Sequence, residues 1–200
     1  MTGLVPRKGR CLPGEKILLT LFGGDGADAA EITVTHLARE VWRGRVALCA
    51  PETPVELPPL PKGGYGVEAR LTREGKRVAF ATGAVNVGGD MVRYGFLCDF
   101  LPHGDEDIAC LAKYHIDHVQ FYDWAYRHDT LVSPADEYTD PMGKRNSLPV
   151  IRRKIAACRA RGMKTMAYTA VYAACRDFWE AHRGWGLYAG PGRPMTFIDT

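Results

Sequence analysis

The chain lacks several features that would have named its chemistry at once. No apolar run is long enough to cross a membrane, and the longest stretch, residues 16–24 (KILLTLFGG), has the length of one strand. The first residues, MTGLVPRKGRCLPGEK, carry charge but no apolar core behind it, so they do not read as a secretory leader. The six cysteines never pair as CxxC, and no cysteine or histidine spacing suits a metal ion. There is no GxSxG elbow, no GxGxxG following a strand and no phosphate-binding P-loop. The net charge is only +3 and the basic residues are scattered, which argues against nucleic acid as a partner. No metal, cofactor, nucleic acid or membrane is therefore expected. Internal repeats and low-complexity tracts are absent too.

What is present describes a globular chain. A hydrophobic content of 46% and a charged content of 24% leave no reason to expect disorder. Cys98, Cys158 and Cys175 stand in apolar surroundings and read as core thiols of a reduced protein.

Residues 1–90 read as strands. Residues 16–22 form a leucine-rich run behind the Pro13-Gly14 turn. Residues 31–36 (EITVTH) alternate, as a strand with one wet face does, and residues 45–49 give a third strand. The proline-rich segment 51–64 reads as a loop or an edge connection. Residues 65–71 and 77–82 make a hairpin about Arg73-Glu74-Gly75. Gly23-Gly24-Asp25-Gly26 and Gly88-Gly89-Asp90 read as turns. Short strands between turn signals fit a small β-sandwich.

From residue 91 the rhythm changes. Residues 93–100, 118–122 and 164–168 read as strands, and residues 105–115, 147–161 and 172–182 as helices. Glu106 and Asp107 suit the first turn of the first helix. The second helix buries Val150, Ile151, Ile155 and Cys158 and turns Arg152, Arg153, Lys154 and Arg159 outward, with Ser147 as N-cap and Gly162 past its end. Alternating strands and helices predict parallel βα units. Three such units form either a small open sheet or part of a barrel, since a closed eightfold barrel needs about 250 residues.

Ligands of parallel α/β folds meet the loops after the strands. Here those loops are rich in aromatic and ionisable groups: Tyr122, Asp123, Trp124, Tyr126, Arg127, His128 and Asp129 after one strand, Tyr168 and Tyr172 after another. Rings beside carboxylates and an imidazole suit a sugar, whose C–H face packs on an aromatic ring while its hydroxyls find polar groups at the rim. Plain structural roles compete with that reading. Trp124 and Tyr126 could cap a core, Asp123 and Asp129 could cap helices or pair with Arg127, His128 could be a satisfied structural histidine, and Tyr168 and Tyr172 could pack a helix.

Four stretches in order carry a more specific signal: residues 93–100 (RYGFLCDF), 111–129 (LAKYHIDHVQFYDWAYRHD), 136–143 (DEYTDPMG) and 163–174 (MKTMAYTAVYAA). Together they resemble glycoside hydrolase family 66, the endo-dextranases and cycloisomaltooligosaccharide glucanotransferases. The likeness implies an N-terminal immunoglobulin-like β-sandwich over residues 1–90, followed over residues 91–200 by the first three βα units of a (β/α)8 TIM barrel, truncated before its fourth strand. It implies retaining hydrolysis or transglycosylation of α-1,6-glucan, that is dextran or isomaltooligosaccharides, by an aspartate nucleophile and a glutamate acid/base on later strands. Neither carboxylate is expected in this chain, which alone should be inactive. The matching residues Tyr122, Asp123, Trp124, His128, Asp129, Tyr168 and Tyr172 are implied as substrate contacts or their supports. Relatives are expected outside the cell, while the missing leader and the cysteines leave the location open, as they do the oligomeric state. Two other readings stand beside this one. The chain could be a non-catalytic glucan-binding protein, or a small α/β protein for an unrelated ligand.

Overall fold

The computed structural model describes residues 2–24, 26–89 and 92–195. Of the two expected glycine turns, Asp25 and Asp90 lie outside the described residues. The described chain is mostly β-sheet and contains no closed barrel. It divides into two compact units, one made of Met1–Gly95, Asp105–Val119 and Ala156–Thr165, the other of Phe96–Gly104, Gln120–Ile155 and Met166–Thr200.

Seven strands open the first unit: β1 (Gly3–Pro6), β2 (Ile17–Phe22), β3 (Ala29–His36), β4 (Arg39–Ala47), β5 (Glu52–Leu57), β6 (Gly63–Arg73) and β7 (Lys76–Val87). They form two antiparallel sheets, ordered β1-β2-β5 and β4-β3-β6-β7. Alternation sets which face is dry. Ile17, Leu19 and Leu21 of β2, Val55 and Leu57 of β5, Ile32 and Val34 of β3, and Val67, Ala69 and Leu71 of β6 are all buried in one shared core. The proline-rich segment resolves as the edge strand β5: Pro54, which has no N–H to donate, sits in a strand with only one neighbour. The expected hairpin forms with Glu74 and Gly75 at φ of 50° and 77°, the geometry of a two-residue turn that matches strand twist.

The chain continues through β8 (Tyr94–Leu97), α1 (Glu106–Lys113), β9 (His118–Phe121), β10 (Glu137–Thr139), β11 (Arg145–Ser147), α2 (Leu148–Ala160), β12 (Lys164–Ala167) and α3 (Arg176–Ala181), then β13 (Tyr188–Gly190) and β14 (Arg193–Pro194). Strands β8, β9 and β12 share a sheet in the order β12-β9-β8. Its hydrogen bonds advance together along both partners: His118 N to Arg93 O and Tyr122 N to Leu97 O, then Lys164 N to Asp117 O and Tyr168 N to Phe121 O. That order makes the three strands parallel. In α1, Ile108 and Ala112 are fully buried, and Glu106 and Asp107 occupy the acidic first turn. Gly162 takes φ of 70° just past α2, where its N–H and that of Met163 close onto Arg159 and Cys158 carbonyls.

Within the first unit, the segment between β1 and β2 is tied down by Asp117. This carboxylate, 3% exposed, accepts from Arg93 N and His118 Nδ1 and pairs with Arg10 at 3.1 Å. Burial would raise its pKa, but these partners outweigh burial and hold it below the ordinary carboxylate value. Gly9 passes so close that an added Cβ would meet the Ile116 carbonyl at 2.3 Å.

Three expectations are corrected. Lys154 is fully buried rather than on the wet face of α2, because it lies three residues after Ile151 and four before Cys158, on the same helical stripe. The third helix does not begin at Tyr172. Residues 171–172 form a turn, Cys175 is extended at ψ of 151°, and the helix spans only six residues from Arg176. Cys98 is exposed, since Leu97 before it takes the buried face, and Cys175 is half-buried; Cys158 is a core thiol as expected. Cys11, buried beside Val87, was the core thiol the sequence did not mark.

Candidate functional site

The site lies wholly in the second unit, where β9 and β12 end. Tyr122 extends the ladder by one bond to Leu97 O at 2.8 Å, and its ring lies 4.4 Å from that of Tyr168, which follows β12. Asp123 then leaves the strand at φ of 53°, a left-handed conformation that a short polar side chain tolerates better than most. Its carbonyl accepts from Asn146 Nδ2 at 3.0 Å, and Asn146 is fully buried. Trp124 donates its indole N–H to Tyr168 O at 2.9 Å, while Trp124 O accepts from the Tyr138 hydroxyl. Burial and the nearby Asp140 push the Tyr138 hydroxyl up to about 12, so it remains a donor at any physiological pH.

These bonds shape a cleft lined by Asp123, His128, Leu131, Asp140, Met142 and Tyr168, among others. Burial and then the charge of Asp140 raise the Asp123 carboxyl above the ordinary aspartate value, and Lys144 opposes them. The Tyr168 and Tyr172 hydroxyls meet at 2.9 Å, which pushes the Tyr172 hydroxyl up. Tyr172 itself is 68% exposed.

The structure thus gathers Asp123, His128 and Tyr168 around one space and sets Tyr122 against Tyr168. Trp124 is joined to the same cluster through its indole N–H, a scaffold contact. Asp129 turns elsewhere. It pairs with Arg127 at 3.2 Å and accepts from Thr130 at 3.1 Å, and Arg127 also binds Asp177 of α3. Burial raises the Asp129 carboxyl, but hydrogen bonds from Cys175, its own backbone, Thr130 and Arg127 hold it below the usual value. Asp140 and Met142 are cleft residues that the sequence did not single out. They lie in the DEYTDPMG stretch, and their signal was the Asp-Pro-Met-Gly turn between two short strands, with Gly143 at φ of 82°.

Chemically, the cleft offers paired tyrosine rings, two carboxyls and an imidazole. Among the described residues no group of three or more histidine, cysteine or acidic side chains could hold a metal ion.

Comparison with known proteins gives these features a context. The model of glycosyl hydrolase family 66 matches residues 6–196. A cycloisomaltooligosaccharide glucanotransferase of Niallia circulans is 29% identical over 124 residues, covering 54% of this chain and 13% of that protein. A second protein of that name from the same organism is 25% identical, covering 95% of this chain and 22% of that protein. The chain therefore spans less than a quarter of the length of these relatives. The crystal structure of a Paenibacillus sp. cycloisomaltooligosaccharide glucanotransferase, complexed with cycloisomaltoheptaose, superposes with a TM-score of 0.78 at 24% identity. It covers all of this chain and 33% of that one, and so shares the fold. With a family model matched along nearly its whole length, the chain belongs to glycosyl hydrolase family 66.

Proposed function

We propose that this chain is the N-terminal part of a retaining glycoside hydrolase or transglycosylase acting on α-1,6-glucan, and that it contributes glucose-binding surface to that enzyme rather than its catalytic carboxylates. In this reading residues 1–90 are an immunoglobulin-like β-sandwich. Residues 91–200 supply the first three βα units of a (β/α)8 barrel, whose nucleophile and acid/base belong to strands beyond this sequence. Hydrolysis of a glucan needs both carboxylates, so the chain alone binds without turning over.

The observation that supports this most is the meeting of two parallel strand ends at one cleft. Asp123 follows β9 and Tyr168 follows β12, the C-terminal side on which such folds bind ligands. The tyrosine pair Tyr122 and Tyr168 would stack a glucosyl face, with Tyr172 extending that wall. Asp123 and His128 would bond its hydroxyls, while Trp124 and Asp129 hold the loop that carries them. The ligand named for the Paenibacillus structure, cycloisomaltoheptaose, is in keeping with this substrate class.

Isothermal titration of the chain with isomaltotriose tests the reading. Binding is expected, with Tyr168→Leu weakening it roughly tenfold, the worth of one aromatic contact of about 1.4 kcal/mol. Folded chain that shows no heat with millimolar isomaltotriose would end the carbohydrate assignment. Release of reducing sugar from dextran by the chain alone would end the assignment of the catalytic pair to later strands.

A further inference from the structure

Asp140 carries a polar atom that the chain itself leaves unsatisfied. The residue sits at the β10–β11 turn and is 6% exposed. Its Oδ1 accepts from Met142 N at 2.9 Å and Lys144 N at 2.8 Å. Its backbone N–H donates to Lys144 O at 2.8 Å, and its carbonyl accepts from Gly143 N at 3.0 Å. One side-chain oxygen is enough for that turn, and an asparagine would serve it equally. The second oxygen, Oδ2, is buried without a hydrogen-bond partner. Leaving such an oxygen unmet is unfavourable, and nothing in the turn repays it. The residue lines the same cleft as Asp123, whose carboxyl feels the charge of Asp140.

We propose that Asp140 is a positioning residue that acts through Asp123, its free Oδ2 accepting a hydrogen bond from the Asp123 carboxyl when that group is protonated. The two carboxyls then hold one proton between them. One negative charge remains, and the Asp123 side chain is fixed toward the ligand instead of swinging in the cleft. For a sugar this offers a fixed acceptor for a hydroxyl; that consequence rests on the carbohydrate reading, while the carboxyl pair does not.

Other groups face Asp123 from each neighbouring segment. Lys144, on the same turn as Asp140, opposes its effect, and the Lys144 ammonium lies 5.7 Å from the centre of the Phe100 ring. His128 comes from the loop that carries Asp123 itself, and Tyr168 and Tyr172 from the segment after β12. None of these offers a second carboxylate, so Asp140 is the partner whose removal should move Asp123 most.

Carboxyl carbon NMR on the whole chain, titrated without sugar, tests the pair. The Asp140 resonance should show an inflection at the pH where Asp123 titrates. In Asp140→Asn, which keeps the turn, the Asp123 midpoint should fall. An Asp140 resonance silent at the Asp123 midpoint overturns the proposal, and needs no variant that folds. An Asp123 midpoint unmoved in folded Asp140→Asn overturns it as well. Repeating the titration with isomaltotriose separates the two readings. Coupled titration without sugar binding would sink the carbohydrate reading alone, and independent titration would sink the pair whatever the sugar does.

Discussion

At the scale of single residues, Asp123 sets binding against stability. Its carboxyl is raised by burial and by Asp140, so the folded chain holds its proton more tightly than the unfolded chain does. A carboxyl raised on folding stabilises the fold below its ordinary value, and that contribution is lost as pH rises through the raised one. Wherever Asp123 is ionised, its charge is therefore kept at a cost. Asp123→Asn is expected to raise the urea midpoint at neutral pH, with the gain shrinking as pH falls through the raised value and gone below the ordinary aspartate value of about 3.9. Asparagine tolerates the left-handed backbone at this position at least as well as aspartate, so a gain of equal size at every pH would point to the backbone and refute the charge argument. Asp117 is the opposite case, since its partners lower it and its contribution is lost only toward acid. The buried Asp117 and the half-buried Asp123 thus pull in opposite directions.

At the scale of elements, the turns show what the sequence could and could not announce. Glu74-Gly75 was legible because glycine at positive φ is cheap and because alternating strands flank it. Leu37-Ala38 was not. It joins β3 to β4 through the same kind of two-residue turn, with φ of 47° and 65°, yet neither residue type signals one. A left-handed conformation costs a non-glycine residue about 1–2 kcal/mol. Leu37→Asn with Ala38→Gly is expected to stabilise the chain by about 1 kcal/mol per position after the entropy cost of glycine. A thermal midpoint that does not rise would show that the sheet does not feel this strain. The same limit explains the other surprises. Lys154 is buried on a stripe whose period its charge concealed, and α3 begins late because Cys175 stays extended while the bulky residues before it suggested helix. The aromatic loop after β9 was legible by composition alone. Asp140 was not, because its role depends on a hairpin folding back to the cleft from more than ten residues away, and spacing along the chain does not report that.

At the scale of the whole molecule, the two units differ in how well they cover themselves. The first holds a continuous core of buried strand residues shared by two sheets. The second leaves Val171, Tyr172, Trp185 and Leu187 at 92%, 68%, 77% and 66% exposed, a density of bare apolar surface that usually marks an interaction face or an aggregation liability. In the parallel sheet, β8 and β12 each have a neighbour on one side only among the described residues, and open strand edges invite pairing with other chains. Self-association is expected to rise with concentration, with sedimentation velocity showing growth in species beyond the monomer between micromolar and millimolar protein. Amide exchange should report the same asymmetry. Amides of β3 and β6, paired on both sides within the four-stranded sheet, should be the slowest, and those of residues 171–195 among the fastest. Replacing Trp185 and Leu187 together with glutamate should hold the chain monomeric without altering the slow amides, because neither side chain belongs to the buried core. A chain that is monomeric at every concentration, with uniform protection across both units, would show that this surface is inert and that the exposed residues serve some purpose other than contact.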